Sequence, residues 1–206
     1  MKTIAKVHAA LAIAVVLVLS LAGRAAWAQA DPAVSQIDGF QATLLDAMKQ
    51  GSALGAKGRA RLIAPAVQRA FDLPTMTRFA VGPSWQTMSP AERSALTEAF
   101  ARLTAASFAR NFDSYSGERF EVSPKVDTRG PDKLVQARIV PAQGEATTIV
   151  YRMRQSGGTW KVIDVYYQGS ISQLTTRRSD FAATVAAGGE PALLAHLNAQ
   201  TEKLLR

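Results

Sequence analysis

The hydrophobic period of this chain changes twice, and those two changes bound its fold. From Val34 to Tyr115 the apolar residues recur at three- and four-residue steps. From Phe120 to Tyr167 they alternate, and after Gly169 the helical step returns. Helices, then strands, then helices describe an α+β domain, because an α/β sheet needs the two kinds of element to alternate along the chain.

Within the first helical stretch, Val34, Ile37, Phe40, Leu44 and Met48 share one face, and Gly51 to Gly58 break the pattern. Leu62, Ile63, Ala66, Val67 and Phe71 resume it, with Pro65 expected to start or kink that helix. A short helix is expected from about Pro74 to Val81, stopped by Gly82-Pro83. Ser89-Pro90-Ala91-Glu92 reads as a capping box with proline at the first helical position. Leu96, Phe100, Leu103, Phe108, Phe112 and Tyr115 carry that helix to near Gly117.

Phe120 and Val122 open the strands. Val135, Ala137 and Ile139 alternate with Gln136 and Arg138, Ile149, Tyr151 and Met153 with Arg152 and Arg154, and Trp160 to Tyr167 is the fourth strand. Gly130-Pro131, Gln143-Gly144 and Ser156-Gly157-Gly158 are connections short enough for antiparallel hairpins. Ile171, Leu174, Phe181 and Val185 then belong to one helix, and Leu193, Leu194, Leu197 and Leu204 to another. Gly188-Gly189 separates these two helices and Pro191 opens the second. The expected architecture is a four-stranded meander with one face covered by the long capped helix.

The first residues belong to another kind of segment. Lys2 and Lys6 precede an apolar run from Ala9 to Ala22, and Ala26-Trp27-Ala28 has the small-x-small form of a cleavage site. Crossing a bilayer takes about 20 apolar residues, so a cleaved export signal over residues 1–28 is the expectation, with a retained anchor as the alternative. Residues 29–206 then form one domain. The chain has 24 Lys+Arg against 16 Asp+Glu, and removal of Lys2, Lys6 and Arg24 takes the net charge from +8 to +5. The basic residues, such as Arg59, Arg93, Arg138 and Arg177, are scattered, which argues against nucleic acid as a partner. There is no cysteine, and so no disulfide, thiolate nucleophile or lipid-anchoring site.

Chemistry is sparse. Beyond residue 28 the one histidine is His196, and neither a metal-ligand spacing nor a nucleophile elbow or phosphate-binding loop occurs. No catalytic residue, metal or cofactor is expected. Asp164 stands inside an apolar strand. There it is either a carboxylate paired with an arginine or a backbone amide, or a general base with a raised pKa. The apolar residues facing each other across sheet and capped helix fit either a solid core or a lined hollow, because alternation does not reveal whether two layers touch.

Several segments resemble the MlaC, or toluene-tolerance, family of periplasmic phospholipid carriers. They are Phe71-Asp72-Leu73 with Met76, Arg78 and Val81-Gly82-Pro83-Ser84-Trp85, then Ser89-Pro90-Ala91-Glu92-Arg93 to Phe100, and Tyr115-Ser116-Gly117. Trp160-Lys161-Val162-Ile163-Asp164-Val165 and Gly169-Ser170-Ile171-Ser172 follow, leading to Arg177 and Phe181. The first of these resembles the hopanoid-associated branch (HpnM-like). The segment around Pro65 departs from the family pattern, and Met153 stands where the family has an aromatic.

The resemblance implies a fold like that of nuclear transport factor 2 (NTF2-like), with a curled sheet around an apolar cavity, and no enzyme activity. Its candidate lipid-lining residues are Leu96, Phe100, Leu103, Tyr115, Phe120, Val135 and Ala137, with Ile139, Ile149, Tyr151, Met153, Val162 and Ile171. The implied partners are a phospholipid or hopanoid-type lipid, the substrate-binding subunit of an inner-membrane ABC transporter, and an outer-membrane lipoprotein complex, with the chain itself a monomer. Two alternatives stay open: a small-molecule enzyme on the same scaffold using Asp164, and an interaction protein that binds no ligand. Arg138, Arg152 and Arg154 are candidates to meet a phosphate, but their alternation turns them away from the covered face, toward solvent or a docking partner.

Overall fold

The structure, a computed structural model, describes residues 30–206, so the expected export segment lies outside the described residues. Helix α1 (Pro32–Lys49) is capped by the Asp31 carboxylate, which accepts from the Ala33 amide at 2.9 Å, with Pro32 at the first helical position. Helix α2 (Gly51–Ala70) follows almost without a loop. It bends at Gly55 (φ 60°, ψ 176°), a conformation that favours glycine, and runs helically through Pro65. The break expected over Gly51 to Gly58 is thus a single residue. Pro65 is exposed, so its ring meets solvent instead of the core.

Helix α3 (Leu73–Val81) has Asp72 as its cap, accepting from the Thr75 amide at 3.1 Å. A 3₁₀ turn (Gly82–Thr87) leads into α4 (Pro90–Asn111). Both halves of the capping box form: the Glu92 amide donates to Ser89 Oγ at 3.3 Å and the Ser89 amide to Glu92 Oε2 at 2.6 Å. Helix α4 ends at Asn111 instead of near Gly117. The residues beyond it include Asp113, Ser114 and Ser116, whose side chains compete for the backbone hydrogen bonds that would continue a helix.

The sheet has five antiparallel strands in the order β1 (Arg119–Arg129), β2 (Asp132–Val140), β3 (Thr147–Ser156), β4 (Thr159–Tyr167) and β5 (Ile171–Ser172). Four match the expected meander. The fifth is a correction: Ile171, expected on a helix, pairs with Tyr167 after a turn at Gln168 (φ 51°) and Gly169 (φ 76°). Strand β4 is further protected where Phe71 bridges to Val162 and the Asp72 amide donates to the Val162 carbonyl at 2.9 Å. At the other edge, Ser123, Pro124 and Lys125 of β1 bulge opposite Gln136, between the pairs Val122↔Ala137 and Val126↔Val135. Helix α5 (Gln173–Leu204) breaks at Gly188 and Gly189, where the sequence reading placed the end of one helix and the start of another.

The covering helix is not the expected one. Helix α1 lies across β1, β2 and β4, and Lys133 fastens its start to the sheet by an ion pair with Asp31 at 2.6 Å while lying 4.4 Å over the Trp160 ring. Helix α4 packs chiefly on α2, α3 and α5. Buried Arg59 ties α2 to α4, donating to the Ala109 carbonyl at 3.0 Å and to the Gly51 carbonyl at 2.7 Å. One of these acceptors is among the carbonyls that the end of α4 leaves without a helical partner. Because α4 is held by helices, it stands off from the sheet.

Candidate functional site

Between α4 and the inner face of β2, β3 and β4 lies a cavity of about 710 Å³. The sheet contributes Ile139, Thr147, Ile149, Tyr151, Val165 and Tyr167, and α4 contributes Phe100, Thr104, Ser107, Phe108 and Asn111. Met48 and Phe71 come from the ends of α1 and α2, Met76 from within α3, and Leu174 and Arg177 from the first turns of α5. Alternation explains the sheet wall: in register, Tyr151 stands between Val135 and Val165, and Ile149 between Ala137 and Tyr167, all on one face.

Helix hydroxyls leave this wall apolar. Thr104 Oγ1 donates to the Phe100 carbonyl at 2.8 Å, and Ser107 Oγ to the Leu103 carbonyl at 2.8 Å. Aromatic rings thicken one side: Phe108 lies 5.0 Å from Phe40 and 5.8 Å from Phe71, and Phe112 lies 5.7 Å from Phe120. Polar residues gather where the segment after α4 and the start of α5 meet the cavity: Asp113, Ser114, Glu118 and Gln173.

Two polar features remain inside. The Tyr151 hydroxyl accepts from Gln41 Nε2 at 3.3 Å, and burial pushes its pKa up to about 12 against the opposing pull of that hydrogen bond. Among the described residues the Gln41 Oε1 is buried without a partner. Arg177 reaches Ser107 Oγ at 3.3 Å and lies 6.0 Å from the centre of the Phe100 ring. Burial lowers its pKa, with Asp180 opposing.

Of the expected lining residues, Phe100, Ile139, Ile149 and Tyr151 border the cavity. Leu96, Leu103, Val135, Ala137, Met153 and Val162 are instead filled core, and Phe120 is partly buried against it. Val135, Ala137, Met153 and Val162 are buried strand residues of the sheet that α1 covers, where the reading had a hollow, and Leu96 and Leu103 are buried on α4. Tyr115 and Ile171 are corrections of another kind, at 43% and 49% exposed. Tyr115 lies beyond the end of α4, where Lys49 Nζ sits 5.6 Å from its ring, and Ile171 is on β5.

The reading missed Met48, Phe71 and Met76 as wall residues, and it missed Val165, Leu174 and Arg177. Phe71, Met76 and Arg177 stood among the family-like segments, which was the available signal. A second hollow of about 520 Å³ lies beside α2, α3 and α4, and Phe71 lines both.

Asp164 does not enter the cavity wall as a free base. Only 7% exposed, it accepts from the Val165 amide at 2.8 Å, the Ser172 hydroxyl at 2.7 Å and the Leu174 amide at 3.1 Å. It holds the start of α5 to β4. Arg152 and Arg154 both turn outward, onto Asp132, with Nε–O distances of 2.6 Å each, and Arg138 faces Glu121 at 3.7 Å. His196 pairs with Asp180 at 3.1 Å. Among the described residues no helix is long and apolar enough to cross a membrane, and no group of three or more His, Cys, Asp or Glu could hold a metal ion.

The profile of the MlaC protein family matches residues 39–199. No curated protein matches the chain. Among solved structures, the chain is similar to a phospholipid-binding protein from Ralstonia solanacearum in complex with a phospholipid. The identity is 19% and the TM-score 0.72, with 84% of this chain and 99% of that chain covered.

Proposed function

Since the chain belongs to the MlaC family, we propose that it is a periplasmic carrier holding an acyl chain of a phospholipid in the cavity between α4 and the sheet. The observation that carries this reading is the cavity itself, walled by Phe100, Phe108, Ile139, Ile149 and Val165. Exposing a methylene to water costs about 0.8 kcal/mol, so a bare sixteen-carbon chain costs on the order of 12 kcal/mol. Free lipid therefore crosses water very slowly. At roughly 30 Å³ per methylene, the share a water molecule takes in the liquid, such a chain fills on the order of 500 Å³. A cavity of 710 Å³ holds one such chain. The similar Ralstonia protein, whose structure contains a phospholipid, supports the same ligand class.

The carrier binds without chemistry of its own. Asp164, the one carboxylate considered as a base, is occupied by three donors, and this argues against the enzyme alternative. In this reading the protein exchanges lipid with an inner-membrane transporter subunit and an outer-membrane lipoprotein complex. The test is transfer between donor and acceptor vesicles, with native mass spectrometry of the purified protein. The wild type carries lipid. Ile149→Trp, which fills the cavity from β3, lowers transfer at least tenfold while the circular dichroism spectrum is kept. Protein that purifies without lipid and takes none from vesicles would overturn the reading. Mass analysis of the retained lipid separates phospholipid from hopanoid.

A further inference from the structure

An apolar cavity explains affinity for hydrocarbon but not a preference among lipids that share the same chains. Arg177 supplies a candidate for that preference. Its guanidinium lines the cavity beside Phe100 and Ser107. A guanidinium carries five N–H donors in a planar fork. Among the described residues its side chain donates one hydrogen bond, to Ser107 Oγ at 3.3 Å. That hydroxyl already gives its own proton to the Leu103 carbonyl.

Asp180, the carboxylate whose charge acts on Arg177, is itself engaged by His196 at 3.1 Å. Two first-turn amides of α5 are taken as well: Leu174 N donates to Asp164, and Thr175 N to Ser172 Oγ at 3.0 Å. The two carboxylates that line the cavity, Asp113 and Glu118, come from the segment after α4, and Glu118 accepts from the Ser116 amide at 2.6 Å. A half-buried cation with unused donors, set against an apolar wall, is stabilised when something anionic meets it, and a planar fork matches the oxygens of a phosphate.

Building on the carrier reading, we propose that Arg177 receives the phosphate group of the bound lipid, so that the cavity selects for a phosphorylated headgroup as well as for an acyl chain. The burial that lowers the Arg177 pKa is consistent with this, because it marks a cation short of compensation. Ser107 then acts as a positioning residue that aims the fork across the cavity.

The test is competition against a neutral fluorophore, N-phenylnaphthylamine, bound to full-length mature protein. Dioleoyl phosphatidic acid, dioleoylglycerol and inorganic phosphate are the competitors. Wild type is expected to be displaced by phosphatidic acid at concentrations about ten- to a hundredfold lower than by dioleoylglycerol, the range of a charge-assisted hydrogen bond. Arg177→Met brings that ratio close to one. Arg177→Lys keeps the charge without the fork, leaves part of the ratio, and serves if the methionine variant fails to fold. A ratio that survives both substitutions overturns the proposal. So does displacement by inorganic phosphate alone, which assigns the site to the free ion. A wild type that binds both lipids equally removes the role of Arg177 and leaves the carrier. One that binds neither removes the carrier reading along with it.

Discussion

On the outward face of the sheet the Asp132 carboxylate, its side chain wholly buried, sits between the guanidinium groups of Arg152 and Arg154. Burial alone would raise its pKa, but hydrogen bonds from Arg154 and Arg152 outweigh that and hold it below the ordinary carboxylate range. A carboxyl group whose folded pKa is depressed stabilises fully above its unfolded value, near pH 4, and loses that contribution as pH falls through the folded value. Asp132→Asn should therefore cost about 3 kcal/mol near pH 7, the low end for a broken buried pair, since both arginines still reach solvent. The variant should also lose less further stability than wild type between pH 4 and 2. Urea midpoints across that range check both. Period-two alternation placed Arg152 and Arg154 outward. It could not name their partner, because pairing across a hairpin depends on register and Asp132 lies on the neighbouring strand. Asp164 shows the same limit: its burial was legible, but the Ser172 hydroxyl and Leu174 amide that satisfy it come from β5 and the start of α5, whose place beside β4 the pattern does not specify.

Elements were legible where a residue type leaves the backbone little choice. The Ser89 to Glu92 box, the hairpin turns at Gly130 and at Gly157-Gly158, and the break at Gly188-Gly189 all lie where their residues predict. Without such markers the reading failed: β5, two residues long, is too short to show a period and was missed, and the end of α4, which comes before any glycine, was placed too late. The glycines give a paired prediction. Gly189 (φ 69°, ψ −159°) occupies backbone space that is essentially glycine-only. Gly189→Ala should cost about 1–3 kcal/mol. Gly39 lies inside α1 with nothing within 4 Å of an added Cβ. Gly39→Ala should add about 0.5–1 kcal/mol. Equilibrium urea denaturation of both variants reads the two signs directly.

At the scale of the molecule, which helix covers the sheet was not legible. Helices α1 and α4 both present an apolar face, and only the helix-to-helix packing that holds α4 away decides between them. Alternation brought Val135, Ala137, Ile149, Tyr151 and Met153 together on one buried side of the sheet. The division into core under α1 and wall under α4 depends on tertiary placement that no periodicity records. A hollow kept open by its frame makes stability depend on ligand. Saturation at a hundred times Kd should add about 2.7 kcal/mol and raise Tm by several degrees. Differential scanning calorimetry with and without phosphatidic acid measures it, and an unchanged Tm at saturation would contradict an occupied cavity.

The outer rim of β1 bears on crowding in a cell compartment. Among the described residues its outer ladder pairs with no other strand, and Pro124 within the Val122–Val126 irregularity supplies no amide proton while the strand buckles around it. Glu121, Lys125, Asp127 and Arg129 add charge along the same stretch. A second molecule trying to extend the sheet meets a gap in the zipper and a fence of mixed charge, so abundant protein is steered away from fibrous self-association.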